Sequence, residues 1–174
     1  MNRLLTPPAR LALAAVLLAL GLVAGSSPAQ ALPQWRTTAF SYDNPRAWQP
    51  KVVGLRYARH AGFDRAVIDI RGRRPDFTIR YVRSLRYDGS GLPVRLYGSK
   101  KMLLTIGGVA HDNQGDSLYA GPRRARMLFP TLKAAAFMGD YEGVVSFGFG
   151  TDRRAPYRVF TLLHPTRIVV DWKH

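Results

Sequence analysis

Two six-residue stretches decide the fold: Arg65-Ala66-Val67-Ile68-Asp69-Ile70 and Arg167-Ile168-Val169-Val170-Asp171-Trp172. Each runs arginine, three apolar residues, aspartate, apolar residue. Side chains alternate between the two faces of a strand. Ala66, Ile68 and Ile70 therefore share one face, as do Ile168, Val170 and Trp172, and these two faces belong in a core. Arg65, Val67 and Asp69 share the opposite face, as do Arg167, Val169 and Asp171. A base and an acid four residues apart on an outward face are placed to pair with a neighbouring strand.

The same texture extends outward from both stretches. Short runs rich in β-branched and aromatic residues predict strands over 52–60, 63–70, 77–82, 94–97, 101–109, 131–138, 145–149, 157–163 and 167–172. Residues 131–138 contain three alanines that also suit a helix. Gly62 and Asp88-Gly89-Ser90-Gly91 punctuate the pattern as turns. Pro156 and Pro165 sit at strand starts, where proline is tolerated. Residues 111–126, His-Asp-Asn-Gln-Gly-Asp-Ser-Leu-Tyr-Ala-Gly-Pro-Arg-Arg-Ala-Arg, read as a loop with a short helical turn after Pro122. There is no alternation of strands with amphipathic helices. The expected class is all-β: a sandwich of short, mainly antiparallel strands with at most one short helix.

The beginning of the chain reads differently. Arg3 and Arg10 precede an apolar run from Leu11 to Ala24, and Ala29-Gln30-Ala31 ends the segment as a small-x-small site. This is the secretory pattern, with a mature chain expected to begin at Leu32. The run is short of the roughly 20 residues a membrane span needs, and no second apolar stretch reaches that length. The mature chain is thus expected to carry no transmembrane segment. Residues 32–51 hold Pro33, Pro45 and Pro50 with Trp35, Phe40, Tyr42 and Trp48, and lack a sustained period. They are expected to form an arm or linker whose aromatics pack onto a domain at 52–174. Zero cysteines remove disulfides, thiol catalysis, thiolate metal sites and a lipid-anchored N-terminus. Core packing alone must stabilise the domain.

Twenty-six basic residues stand against eleven acids, for a net charge of +15. Loss of Arg3 and Arg10 with the leader leaves +13. Such a field attracts polyanions. Arginine and alanine are both abundant, which a G- and C-rich genome also produces. The basic clusters fall at predicted turns: Arg71-Gly72-Arg73-Arg74, Lys100-Lys101, Arg123-Arg124-Ala125-Arg126 and Arg153-Arg154. Arginine forks suit phosphate and carboxylate. Arg73, Arg74, Arg123, Arg124 and Arg126 are the candidate charge contacts, with Tyr119 as the candidate stacking platform.

Signals for chemistry are sparse. His60, His111, His164 and His174 make none of the paired spacings that set two metal ligands on one helical face. Asp112, Asn113 and Asp116 offer oxygens, without the later glutamate of an EF-hand loop. They equally suit an Asx turn. Asp140 and Glu142 sit in Gly139-Asp140-Tyr141-Glu142-Gly143, which reads as a hairpin tip. Glycoside hydrolysis by that pair needs carboxyl groups about 5 to 9.5 Å apart. No phosphate loop and no Gly-x-Ser-x-Gly elbow occurs. No enzyme activity, metal or cofactor is expected.

Phe63 to Ile70 and Pro165 to Trp172 resemble strand motifs of AMIN domains. More broadly, residues 52–174 resemble the AMIN-like domain of actinobacterial secreted proteins and lipoproteins. The resemblance is carried by Phe77-Thr78-Ile79-Arg80-Tyr81-Val82, Asp88-Gly89-Ser90-Gly91, Ala110-His111-Asp112, Tyr119-Ala120-Gly121-Pro122, Gly139-Asp140-Tyr141-Glu142-Gly143, Val145-Ser146-Phe147-Gly148 and Arg167 to Asp171, in this order. It implies a β-sandwich in an envelope protein, associated with the cell wall and taken to bind peptidoglycan. The chain departs from relatives that begin with a lipid-anchored cysteine and a Ser/Thr/Pro-rich spacer. The expected role is a secreted, non-catalytic binding or localisation module for peptidoglycan or associated anionic wall polymers. A protein-interaction scaffold using an exposed sheet edge is the alternative, followed by a wall-glycan enzyme using Asp112, Asp140 and Glu142. Specific nucleic-acid binding is not expected of an exported protein.

Overall fold

A computed structural model describes residues 31–45 and 49–174. The expected leader, apart from Ala31, and Trp48 of the arm lie outside the described residues. Within them the chain forms ten strands and no helix. These are β1 (Phe40–Tyr42), β2 (Lys51–His60), β3 (Phe63–Arg71), β4 (Phe77–Val82), β5 (Lys100–Gly107), β6 (Arg124–Arg126), β7 (Leu132–Tyr141), β8 (Val144–Thr151), β9 (Tyr157–Leu162) and β10 (Arg167–Lys173). Two antiparallel sheets result, a six-stranded one ordered β1-β4-β5-β8-β7-β6 and a four-stranded one ordered β2-β3-β10-β9.

The two echoing stretches are antiparallel neighbours at the centre of the smaller sheet. Their register sets Arg65 opposite Asp171 and Asp69 opposite Arg167. Antiparallel pairing of two like motifs makes each arginine face the other's aspartate. The inward faces bury Ala66, Ile68, Ile70, Ile168, Val170 and Trp172, as the alternation predicts. Val145, Phe147 and Phe149 on β8 and Met102, Leu104 and Ile106 on β5 meet them from the larger sheet. Trp172 and Phe149 pack with ring centroids 5.0 Å apart, and the Trp172 indole N–H points at the Met102 thioether sulfur, 3.3 Å away. A fully buried tryptophan thus gains both apolar contact and a soft acceptor.

Asp64 is the polar exception on this inner face. It is fully buried on β3. Its Oδ2 accepts from the backbone N–H of Thr131 at 2.7 Å and of Leu132 at 2.8 Å, and its Oδ1 lies 2.9 Å from His174 Nε2. A carboxylate on one sheet is therefore satisfied by the strand start of the other. Burial of such a group is tolerated only because each oxygen has a donor.

Two sequence expectations are corrected. Residues 94–97 are not a strand. Residues 83–98 cross the outer face of the larger sheet, where Leu85 and Val94 bury against Ala136 and Met138. The segment satisfies its apolar side chains on a sheet face instead of adding to a sheet edge. It lies that close because β8 carries Gly148 and Gly150 on that side. A Cβ on Gly148 would come within 2.7 Å of Leu85, and one on Gly150 within 1.8 Å of the Tyr97 carbonyl oxygen. Second, residues 124–126 are an edge strand, not loop or helical turn. They pair with Ala134, Ala135 and Ala136 of β7. The arm also contributes a strand, Phe40 to Tyr42, paired with β4.

The rest of the arm is held by the Arg36 to Tyr157 bridge and by the Tyr157 hydroxyl, which donates to the Thr38 carbonyl at 2.6 Å. Burial pushes the Tyr157 phenol up to about 12, with Arg36 opposing the shift. The folded state thus holds this proton more tightly than the unfolded chain, so its stabilising share is complete below pH 10 and is lost as pH rises toward 12. Denaturant titrations should show stability falling across that window, with a shallower fall in Tyr157→Phe. For the crossing segment, Gly150→Ala should lower stability by about 1–3 kcal/mol, the usual cost of overpacking, read as a shifted urea midpoint at unchanged slope.

Candidate anion-binding site

The sequence-designated residues separate in space. Arg74 lies over the Tyr42 ring at 3.4 Å, beside β1, and Asn44 donates to its carbonyl. Arg73 is exposed in the same turn. Arg124 and Arg126 lie on β6, the opposite edge of the six-stranded sheet. Five inter-strand steps at about 4.8 Å put these edges roughly 24 Å apart. The candidate arginines are therefore not one site. Arg123 stacks on Phe137 at 4.8 Å, Arg126 covers Tyr97 at 3.8 Å, and an Arg124 Nη donates to the Arg95 carbonyl. Tyr119, the candidate stacking platform, is placed inside the core cluster. It is only 7 % exposed, its ring stacks on Phe137 at 4.5 Å, and its hydroxyl donates to the Pro122 carbonyl. Burial raises its phenol well above the ordinary range.

Two of the three carboxylates named for chemistry are likewise engaged. Asp112 Oδ1 accepts from the N–H groups of Gln114 and Asp116, both at 2.9 Å, which is an Asx turn. Asp140 Oδ2 accepts from the Ala110 N–H at 2.7 Å and meets His111 Nδ1 at 2.5 Å. Glu142 occupies the exposed β7–β8 turn with φ of 51°, followed by Gly143 at 75°. Two successive left-handed residues are the signature of a two-residue hairpin loop. Among the described residues, no group of three or more His, Asp or Glu side chains is placed to hold a metal ion.

A different set of bases does converge. Strand β4 ends at Val82, opposite Lys101 of β5, and Lys100 is opposite Thr151, the last residue of β8. This order, β4-β5-β8, gathers Arg83, Lys100, Lys101 and Arg154 around one concavity of about 400 Å³ with Tyr81, Val82 and Ser99. Among the described residues no carboxylate lines it. The nearby Asp152 pairs with Arg153 at 2.8 Å. Arg154 lies over the Tyr81 ring at 5.2 Å. The Tyr81 hydroxyl donates to the Ala155 carbonyl, and the Ser99 hydroxyl to the Asp152 carbonyl. Both pin the 151–155 turn against β4 and β5. Lys101 is half-buried, donates to the Gly98 carbonyl, and has its ammonium pKa lowered by that burial. The sequence shows Lys100-Lys101 and Arg153-Arg154 as clusters, but only strand order reveals that members of both share a site with Arg83.

The outer face of the smaller sheet carries a second charged arrangement. Asp171, fully buried, accepts from Arg65 Nε at 2.6 Å and Nη2 at 2.9 Å, and from Arg158 Nε at 2.8 Å. Arg65 spreads over Phe63 and Phe160, and Arg158 over Trp35. Asp69 is bound by Arg56 through a two-point fork, so Arg167 turns to the Pro165 carbonyl instead.

A family model of the AMIN-like domain matches residues 50–174, from the residue before β2 to the last residue of the sequence. The chain belongs to the AMIN-like family. No curated protein matches it. In this AMIN-like domain the Arg–Asp motifs are structural: they zip the centre of the smaller sheet. Asp171→Asn should cost about 3 kcal/mol in chemical denaturation, because two partly buried guanidinium groups lose their common counter-charge.

Proposed function

We propose that this protein is a secreted, non-catalytic envelope-binding module, exported by the leader at 1–31, whose arm and domain engage anionic polymer of the cell wall or the peptidoglycan that carries it. The observation that carries the reading is the concavity at the β4-β5-β8 end. Four cations converge there with no carboxylate among them. Membership of the AMIN-like family, an association with wall-bound envelope proteins, and the high positive charge support the same reading. So does the engagement of Asp112 and Asp140 in hydrogen bonds of the fold. Arg73, Arg124 and Arg126, exposed at the two sheet edges, add a diffuse attraction.

A protein scaffold is the second reading. It is favoured by Leu128, 89 % exposed, shortly after the edge strand β6. Sedimentation with purified wall sacculi separates the two. The protein should pellet with intact sacculi at low salt, and stripping the anionic polymers should release most of it. Failure to pellet at low salt would sink the wall reading, whereas capture that survives high salt and depends on sacculus-bound protein would transfer it to a scaffold.

A further inference from the structure

The shape and charge of the concavity point to a particular chemistry. Lys101 uses one donor on Gly98, and an ammonium has three. Its site is half-buried and no carboxylate partner for it is present in the lining. Arg83, Lys100 and Arg154 are exposed around it. Four like charges gathered from three chain segments repel one another, and the fold supplies no counter-charge in the lining. The two hydroxyls in the lining, on Tyr81 and Ser99, spend their protons on backbone carbonyls. Side-chain donors to a ligand therefore come from the cations, whose complement is anionic oxygen.

A carboxylate offers one charge and two oxygens in a plane, which a single arginine fork satisfies. Here two arginines and two lysines line one space, which matches tetrahedral, repeatedly charged oxyanions better. A volume of about 400 Å³ falls in the range of pockets that take whole small molecules, so it admits a linked organic or phosphoryl neighbour beside the oxyanion. We infer that Arg83, Lys100, Lys101 and Arg154 form a phosphoryl-binding site for successive phosphate groups of a polymer. The inference rests on the anionic-polymer reading above and names its ligand chemistry.

The test compares two charge-matched triple variants of the whole protein, R83Q/K100Q/R154Q at the site and R73Q/R124Q/R126Q at the sheet edges. The probes are inorganic polyphosphate, poly-glutamate of similar length, and phosphatidylglycerol vesicles. The site variant should bind polyphosphate at least ~10-fold more weakly and reduce the salt dependence of log K by about two, while the edge variant loses less than ~3-fold. Wild-type protein should prefer polyphosphate to poly-glutamate. Equal losses in the two triples, or equal affinity for the two polymers, would overturn the site. Vesicle binding that the site triple abolishes, without polyphosphate binding by the wild type, would overturn the polymer and assign the phosphoryl source to lipid headgroups. Arg154 also donates to the Thr37 carbonyl, so R83Q/K100Q carries the comparison against R73Q/R124Q if melting shows the site triple to be unfolded. Pelleting with sacculi but no binding to polyphosphate overturns this inference alone. Binding to polyphosphate through these residues without pelleting overturns only the wall reading.

Discussion

One buried carboxylate joins the two sheets. Asp64 leaves β3 on the core side, where an unpaired charge would be prohibitive, and finds its donors on Thr131 and Leu132 at the start of β7 and on the imidazole of His174. Without cysteines, this domain has no covalent tie between its layers. The hydrophobic contact between the sheets supplies most of the attraction but little direction. The Asp64 bonds supply direction: they fix where the second sheet begins relative to the first, and they tie down the last residue beside Trp172. The neighbouring row, Trp172 against Phe149 and Met102, then packs in a set position.

The outer face of the smaller sheet repeats this economy of acids. Asp171 serves Arg65 and Arg158, one on each flanking strand, so a single aspartate on β10 binds three strands together. The symmetric counterpart does not form. Asp69 faces Arg167 in register but is taken by Arg56 across the β2–β3 pair, where the bulge near Gly54 shifts the register. A repeated motif thus yields an unequal pair: each edge strand supplies an arginine, but Arg158 shares Asp171 with Arg65, whereas Arg56 takes both oxygens of Asp69.

The sequence made legible what depends on period alone. The faces of β3, β5, β8 and β10 follow from alternation, and so does the all-β class. What depended on tertiary partners was not readable. Residues 83–98 carry apolar residues at strand-like spacing, yet their burial needs Gly148 and Gly150 of β8, far along the chain. The edge strand at Arg124–Arg126 is three residues long, too short for a periodic signal, and exists because the alanines of β7 accept it closely. Tyr119 looked available because loop tyrosines often are; the stacked Phe137 that covers it lies on another strand. The basic concavity failed to stand out for the same reason. Lys100 and Arg154 are far apart in sequence, and nothing short of the order β4-β5-β8 says that they meet Arg83.

The distribution of charge bears on whether the excess of arginine is more than composition. A biased genome raises the number of arginines, but it does not decide where the few acids go. Here Asp64, Asp69, Asp112, Asp140, Asp152 and Asp171 are bound to backbone N–H groups, histidine or arginine within the fold. These six are more than half of the eleven acids in the chain. The acids are thus largely consumed in holding the domain together; at the β4-β5-β8 end Asp152 pairs with Arg153, and among the described residues no carboxylate joins Arg83, Lys100, Lys101 and Arg154 in the lining. A merely soluble surface would intersperse both signs. Aspartates committed to the fold leave instead a concavity whose charged lining residues are all basic, and it is this placement, not the number of arginines, that the proposed recognition of a polyanion rests on.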